Sequence, residues 1–131
     1  IVELTNQLDA QASKHVVLHE IDWVIAEDTV VRPDIVICRD VPEQHLKSAP
    51  LLIAEVLSPS TAEKDRTAKF QLYQRQGVRY YLILDTATNH CELFELDEQQ
   101  TYRAKPTESP IMLDPTSGET IHFDTSKLFP T

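Results

Sequence analysis

The sequence predicts an α/β (α+β) fold in which a mixed β-sheet is flanked by helices, and three observations support this fold class. Residues 51–57 (LLIAEVL) are apolar on both alternating faces, as expected of a central strand that is covered on both sides. Residues 60–76 follow with a helical pattern, and residues 79–85 (RYYLILD) form another β-rich run. A strand, a helix and a strand of these lengths indicate two parallel strands joined by a right-handed crossover.

Two further strands are expected before the central one. Residues 15–25 alternate irregularly between apolar and polar side chains, which predicts a strand with one bulge or bend. Residues 30–38 (VVRPDIVIC) form a second β-branched run, in which Pro33 marks a bend and the strand proper begins at Asp34. Residues 39–50 are expected to form a polar loop.

The helix has recognisable start and stop signals. Ser60 and Glu63 have the spacing of a capping box at its beginning. The helix is expected to run through Gln76 to Gly77, because glycine suits the left-handed residue that ends a helix.

The last third of the chain predicts more β-structure. Residues 91–96 and 101–104 indicate a hairpin around a polar turn at 97–100. Residues 121–123 and 128–129 are interpreted as short closing segments.

Chain length and composition predict a single domain spanning residues 1–131. With 131 residues, 41% of them hydrophobic, the chain is long enough for one buried core and too short for two domains of usual size. The first ten residues (IVELTNQLDA) resemble the tail of an amphipathic helix, so we expect the chain to lack part of an N-terminal helix.

Composition argues against several classes of protein. Cys38 and Cys91 lie far apart within apolar runs, which suits reduced core residues and a cytoplasmic location better than a disulfide or a zinc site. The longest apolar stretch is far shorter than the roughly 20 residues of a membrane span, so no membrane segment is expected. The 5 histidines have no metal-ligand spacing, which disfavours a hydrolase built on His or Cys.

The formal net charge of -9 at pH 7 counts against nucleic-acid binding, because phosphate contacts normally draw on surplus Lys and Arg. Carboxylates that hold a divalent cation add to such a negative charge, however, and the bound ion can reverse the field that a substrate meets. The sign of the whole chain therefore does not exclude a nucleic-acid substrate.

Two acidic residues are candidates for a metal site. Glu55 lies in a strand that is otherwise aliphatic, where an ionised carboxylate needs a cation, a proton or a hydrogen-bond donor. Asp34 follows Pro33, which fixes the backbone and directs the carboxylate at a sheet end or bend. The competing interpretations are a buried salt bridge or a strand-end acid at Glu55 and a simple turn acceptor at Asp34.

Of the helical lysines, Lys69 is the better candidate for chemistry. At about 100° per residue it falls on the apolar arc of the helix between Leu72 and Tyr73, whereas Lys64 falls nearly opposite that arc. Asp65 precedes Lys69 by one turn, so a plain surface ion pair is the alternative. Such a pair stabilises a protein by only a fraction of a kcal/mol, which does not explain a lysine within the apolar arc.

Together these groups match the needs of phosphodiester hydrolysis. Asp34, Glu55 and the backbone carbonyl of Val56 would bind Mg²⁺, for which Mn²⁺ would substitute. Lys69 would orient or deprotonate the attacking water and offset charge in the transition state.

The spaced residues resemble the Uma-two family of restriction endonucleases, within the PD-(D/E)xK superfamily. The resemblance rests on Arg32-Pro33-Asp34, on the run EVLSPST that begins at Glu55, and on Asp65, Lys69, Tyr73 and Gly77. It implies a restriction endonuclease-like fold and a site made of two acids and a lysine. In the superfamily the lysine follows two residues after the second acid, but Leu57 occupies that position here. The resemblance implies that the lysine has moved to the following helix, and that an additional helix precedes the first strand.

Two hypotheses follow. The first is a Mg²⁺-dependent DNA endonuclease that forms a homodimer, because cutting both strands favours two sites. The second is a catalytically inactive interaction module that keeps the nuclease fold, which the acidic net charge favours.

Overall fold

The computed structural model describes residues 7, 16–57, 62–107, 111–116 and 119–124. We number ten strands in chain order and name the helix Ala62–Gln76 as α1. The strands are β1 Val16–His19, β2 Trp23–Ala26, β3 Thr29–Val31, β4 Ile35–Cys38, β5 Leu52–Val56, β6 Tyr80–Asp85, β7 His90–Leu96, β8 Tyr102–Lys105, β9 Ile111–Thr116 and β10 Glu119–Phe123.

Six strands form one mixed sheet in the order β1-β4-β5-β6-β7-β8. Strands β5 and β6 are parallel, and α1 connects them, as the strand, helix and strand pattern predicts. The other neighbours in this sheet are antiparallel, including the predicted β7–β8 hairpin. Strands β2 and β3 form one separate pair, and β9 and β10 form another. The predicted α/β class with a mixed sheet is therefore correct.

Both faces of the central strands are buried. On one face, Leu52 and Ala54 of β5 join an aliphatic cluster that includes Leu113 of β9. On the other face, Ile53 of β5 packs in an aromatic-rich cluster with Tyr73 of α1. Alternate residues of one strand point to opposite faces, so Glu55 lies on the same face as Ile53, beneath α1.

The end of α1 is fixed by backbone hydrogen bonds. Gly77 has φ +82°, and its N–H donates to Gln74 O at 3.2 Å. The N–H of Val78 donates to Tyr73 O at 3.1 Å, which completes a Schellman motif. The predicted glycine stop is correct, and it anchors the last turn of the helix that carries the candidate lysine.

Two predicted strands are each divided into two. The run at 15–25 contains β1 and β2, and the break falls at Glu20, which has a positive φ of 48° that an extended strand cannot contain. The run at 30–38 overlaps β3 and all of β4, because Pro33 interrupts it. Strand β1 pairs with β4 in the main sheet, whereas β2 and β3 form a separate pair, in which Trp23 of β2 also makes a parallel bridge to Leu46.

Strand β9 is absent from the sequence prediction. Pro115 lies within it, and proline lowers the expectation of a strand because it has no N–H to donate. Among the described residues, strand β9 belongs to a two-stranded pair in which its partner β10 lies along one edge. Of the remaining predictions, Ser60 and the segment 128–129 lie outside the described residues, as does the side chain of Glu63.

Both cysteines are free thiols, as predicted. Cys38 is buried, and burial raises the pKa of its thiol to about 11. The helix among the described residues is not long and apolar enough to cross a membrane.

Candidate active site

Glu55 is the one acidic or basic residue that is buried among the described parts of the chain. Its side chain is 7% exposed. It reaches the aromatic-rich cluster because β5 places it two residues after Ile53, on the face covered by α1. An isolated carboxylate in this position would lose several kcal/mol of hydration, so its stability depends on the groups around it.

Three side chains donate hydrogen bonds to the Glu55 carboxylate. Lys69 Nζ lies 3.2 Å from Oε1, and Tyr73 OH lies 3.0 Å from the same oxygen. Tyr81 OH donates to Oε2 at 3.1 Å. Lys69 and Tyr73 come from neighbouring turns of α1, and Tyr81 comes from the adjacent strand β6. Helix and sheet thus enclose the carboxylate together.

The two phenols remain neutral donors over the whole physiological pH range. Burial is the largest cause that raises the pKa of Tyr73, and the charge of Glu55 raises it further. The same two causes, in the same order, raise the pKa of Tyr81. A neutral phenol keeps its proton and can only act here as a donor to Glu55.

Lys69 differs from Glu55 in its access to solvent. Its side chain is 35% exposed, although its ammonium group contacts a carboxylate that is almost fully covered. The contact with Glu55 agrees with the predicted position of Lys69 on the apolar arc. The side chain of Asp65, the partner in the alternative surface pair, lies outside the described residues, as does that of Lys64.

Asp34 closes the end of the β4–β5 ladder. Its Oδ2 accepts a hydrogen bond of 2.8 Å from the backbone N–H of Val56. Ile35 is opposite Ala54 in the register, so continuing the two strands by two residues places Pro33 opposite Val56. In a regular ladder, residue 33 would exchange both backbone hydrogen bonds with Val56. The Asp34 carboxylate takes over one of these bonds.

The carbonyl oxygen of Val56 has no backbone N–H opposite it on the β4 side that could donate a hydrogen bond. The N–H and C=O of one strand residue point to the same side, so this carbonyl faces β4, as the N–H bonded to Asp34 does. Pro33 stands opposite and has no N–H to donate. A backbone oxygen therefore lies beside the Asp34 carboxylate, one residue after Glu55.

The structure links the four residues of the predicted site in two pairs. Glu55 contacts Lys69, and Asp34 contacts Val56, the residue that follows Glu55 in the chain. In the described parts of the chain, no three His, Cys, Asp or Glu side chains converge as metal ligands. A cation here would therefore be bound by two carboxylates and a backbone oxygen, a donor set that suits Mg²⁺ with several retained waters.

A second ion pair lies next to this site on the same face. Register places Glu55 opposite Ile83, and Ile83 opposite Glu92 of β7. Arg66, three residues before Lys69 on α1, forms an ion pair with Glu92. Arg66 and Lys69 thus lie near the site on one face of α1, and their side chains are 38% and 35% exposed.

Sequence reasoning did not assign a role to Tyr73 or Tyr81. Tyr73 follows Lys69 by one helical turn, and the parallel register of β5 and β6 places Tyr81 on the same face as Ile53. Both positions look like ordinary core aromatics in the sequence. Only the pairing of the strands and the position of the helix reveal that both hydroxyl groups meet at Glu55.

Another concave region lies away from this site. A groove of about 770 Å³ is lined mainly by the loop 39–50, with Gly77 and Arg79, at the end of the sheet opposite to Asp34 and Val56. It contains no buried charged group, whereas the site at Glu55 does.

Comparisons with known proteins agree with this fold. The sequence model described as "Uma2: Putative restriction endonuclease" matches residues 1–123. No curated protein sequence is significantly similar to the chain. One similar solved structure is described as a "putative nuclease belonging to DUF820" from Anabaena variabilis ATCC 29413. It is 15% identical, the match covers 95% of this chain and 73% of that chain, and the TM-score is 0.67. At this identity the likeness establishes the fold alone.

Proposed function

Because this chain belongs to the Uma2 family of restriction endonuclease-like proteins, we propose that it is a Mg²⁺-dependent endonuclease that hydrolyses phosphodiester bonds of DNA. The observation that carries the proposal is the buried Glu55 carboxylate, bonded to Lys69 and adjacent in the chain to the Val56–Asp34 contact. A family name alone does not establish an activity, so the proposal rests on the chemistry of this site.

Asp34, Glu55 and the Val56 carbonyl would hold the cation. Asp34 Oδ2 already accepts from Val56 N–H, and within the described residues the other Asp34 oxygen has neither a hydrogen bond nor an ion pair. Hard oxygen donors of this kind suit Mg²⁺, and Mn²⁺ accepts the same ligands. When bound, the ion supplies charge for the phosphoryl oxygens and lowers the pKa of a water ligand.

Lys69 is suited to orienting water and offsetting charge. Its hydrogen bond to Glu55 fixes the position of its nitrogen beside the carboxylate. Its 35% exposed side chain can also meet a substrate that approaches from solvent. A fixed ammonium group near developing negative charge stabilises the transition state without reorganisation.

The acidic balance of the chain is compatible with DNA as the substrate because a bound divalent cation and two cationic side chains would meet the phosphates. Arg66 and Lys69 lie one turn apart on α1, on the side facing the candidate site. A divalent cation at Asp34 and Glu55 would add positive charge to the same region. We also propose a homodimer, since cutting both strands favours two sites; sedimentation equilibrium of the chain tests it.

The second candidate is an interaction module that keeps the fold without cleavage. The formal net charge of -9 favours it, because charge repulsion weakens binding to DNA. In that case the Glu55–Lys69 pair would be a structural element of the core and would bind no metal.

Nicking of supercoiled plasmid distinguishes the two candidates. The chain is incubated with Mg²⁺ or Mn²⁺ beside Asp34→Ala and Lys69→Ala, and we expect a loss of about 10²–10³-fold or more in each variant. Lys105→Ala is the matched control, because Lys105 also pairs with a strand glutamate but lies far from Glu55. Equal nicking by all four proteins would identify a contaminating nuclease and remove support for the enzyme.

A further inference from the structure

We propose that Tyr73 and Tyr81 are positioning residues, whose hydroxyl groups hold the Glu55 carboxylate so that a single acceptor position is directed to the cation. This inference rests on the proposed function and assigns the geometry of that same site. We call the two residues the tyrosine clamp.

The number of acceptor positions limits what Glu55 can bind. An ionised carboxylate has about four lone-pair positions, two on each oxygen. Lys69 and Tyr73 both donate to Oε1, and Tyr81 donates to Oε2. Among the contacts of the described residues, one position remains, and it is on Oε2. The clamp therefore selects the oxygen that is available to a cation.

Packing fixes the rings of the clamp. The rings of Tyr73 and Tyr81 meet edge to face with centroids 5.1 Å apart, and both residues are at most 1% exposed. Tyr73 also stacks with Trp23 at 6.1 Å, and Tyr81 packs against Tyr102 at 6.2 Å. Rings held on two sides leave their hydroxyl groups little freedom, so the carboxylate between them is also held in place.

A rigidly placed ligand binds a metal more tightly than a mobile one, because less ordering is required on binding. Outer-shell hydrogen bonds that orient a metal ligand typically change metal affinity by 10–100-fold when they are removed. The tyrosine clamp matches this description: neither ring is itself a predicted ligand, and each hydroxyl contacts a predicted ligand.

The chain offers a matched control. Tyr102 is also buried in the aromatic-rich cluster, but its hydroxyl donates to the backbone carbonyl of Val78 at 2.7 Å. Replacing Tyr73, Tyr81 or Tyr102 by Phe removes the same single oxygen from a buried ring of the same face. Only the first two changes remove a contact with Glu55.

The test is Mn²⁺ binding by isothermal titration calorimetry, on the 131-residue chain and its Y73F, Y81F, Y102F and E55Q variants. We expect Y73F and Y81F to weaken Mn²⁺ binding by about 10–100-fold each, and Y102F to change it by less than about twofold. Phe preserves the rings and their packing, and thermal unfolding monitored by Trp23 fluorescence identifies the folded fraction of each variant.

The outcomes separate this inference from the function on which it rests. Binding that E55Q abolishes, but that Y73F and Y81F leave unchanged, would overturn the clamp and leave the metal site in place. Equal weakening by Y102F would mean a general packing effect and would also overturn the clamp. If the unmodified chain bound no Mn²⁺, the proposed function itself would fall, and the clamp with it.

Discussion

Glu55 and Glu95 are both strand glutamates with several partners, yet they lie in very different surroundings. Glu55 has one cationic partner and two phenols, and its side chain is 7% exposed. Glu95 is 25% exposed, lies on the other face of the sheet opposite Tyr80, and pairs with two cations. Those cations, Arg79 and Lys105, are 46% and 45% exposed.

The difference shows why a count of partners does not identify an active site. The charge of Glu95 is balanced at the surface by two long, half-exposed side chains, and such pairs contribute little to stability. At Glu55, neutral phenols enclose the carboxylate inside the protein, while the nearby Asp34 forms no ion pair within the described ranges. The end of the sheet at Glu55 thus has more negative charge than its own side chains neutralise, which suits a bound cation.

The largest expected difference between the two glutamates is in catalysis. Glu55→Gln keeps the size of the side chain and removes its charge, so we expect plasmid nicking to fall by about 10²–10³-fold or more. Glu95→Gln makes the same chemical change at the surface network and should leave nicking within about twofold. Initial nicking rates at saturating Mg²⁺ provide the comparison. An equal loss in both variants would mean that charge in general, and not this site, controls activity.

The next largest difference is in stability. Glu55→Ala leaves two buried phenols without their acceptor and opens a cavity, so we expect the free energy of unfolding to fall by about 3 kcal/mol. Glu95→Ala should lower it by less than about 1 kcal/mol. Urea unfolding monitored by Trp23 fluorescence measures both changes in the free energy of unfolding, because Trp23 is the single tryptophan of the sequence and is buried. Similar losses in the two variants would contradict the inference that the buried Glu55 contributes more to stability than the partly exposed Glu95.

The smallest expected effect is the pH dependence at Glu95. Burial acts to raise the pKa of Glu95, but hydrogen bonds from Tyr80 and Lys105 and the charges of Lys105 and Arg79 outweigh it and lower the pKa. The unfolded chain therefore binds the proton more readily than the folded one. The stabilisation by Glu95 is fully present above the ordinary glutamate pKa of about 4.3 and is lost as pH falls through the lower folded pKa.

Comparison of the unmodified chain with Glu95→Gln checks this sign. We expect their difference in free energy of unfolding to be constant from about pH 7 to pH 5 and to shrink on further acidification. A difference that grew as the pH fell would mean that the Glu95 pKa is raised in the folded protein.

Much of the main sheet and part of the candidate site could be predicted from the sequence. Glu55 could be predicted as a site residue because it is the one charged residue in an aliphatic strand. Such a strand is covered on both faces and cannot leave a charge unpaired. Helical periodicity predicted the face on which Lys69 lies, and Gly77 predicted the end of the helix. Both predictions succeed because they depend only on residues that are close together in the chain.

Other features depend on contacts between distant residues. The positive φ of Glu20 and the pairing of β2 with β3 are not marked by a glycine or by a change in periodicity. The tyrosine clamp requires α1 and β6 to meet at one carboxylate, with Tyr81 26 positions from Glu55 along the chain. A buried tyrosine has the same hydrophobic pattern whether its hydroxyl contacts a carboxylate or a backbone carbonyl, as at Tyr102.

X-ray diffraction from crystals soaked in Mn²⁺ tests the central claim most directly. The anomalous scattering of manganese locates the ion without reference to activity or to contaminating nucleases. We expect one peak within coordination distance of Asp34, Glu55 Oε2 and the Val56 carbonyl, and no peak beside Glu95. A fully soaked crystal with no peak at Asp34 and Glu55, or with manganese only at the surface network around Glu95, would contradict the assignment of this end of the sheet as a metal-dependent active site.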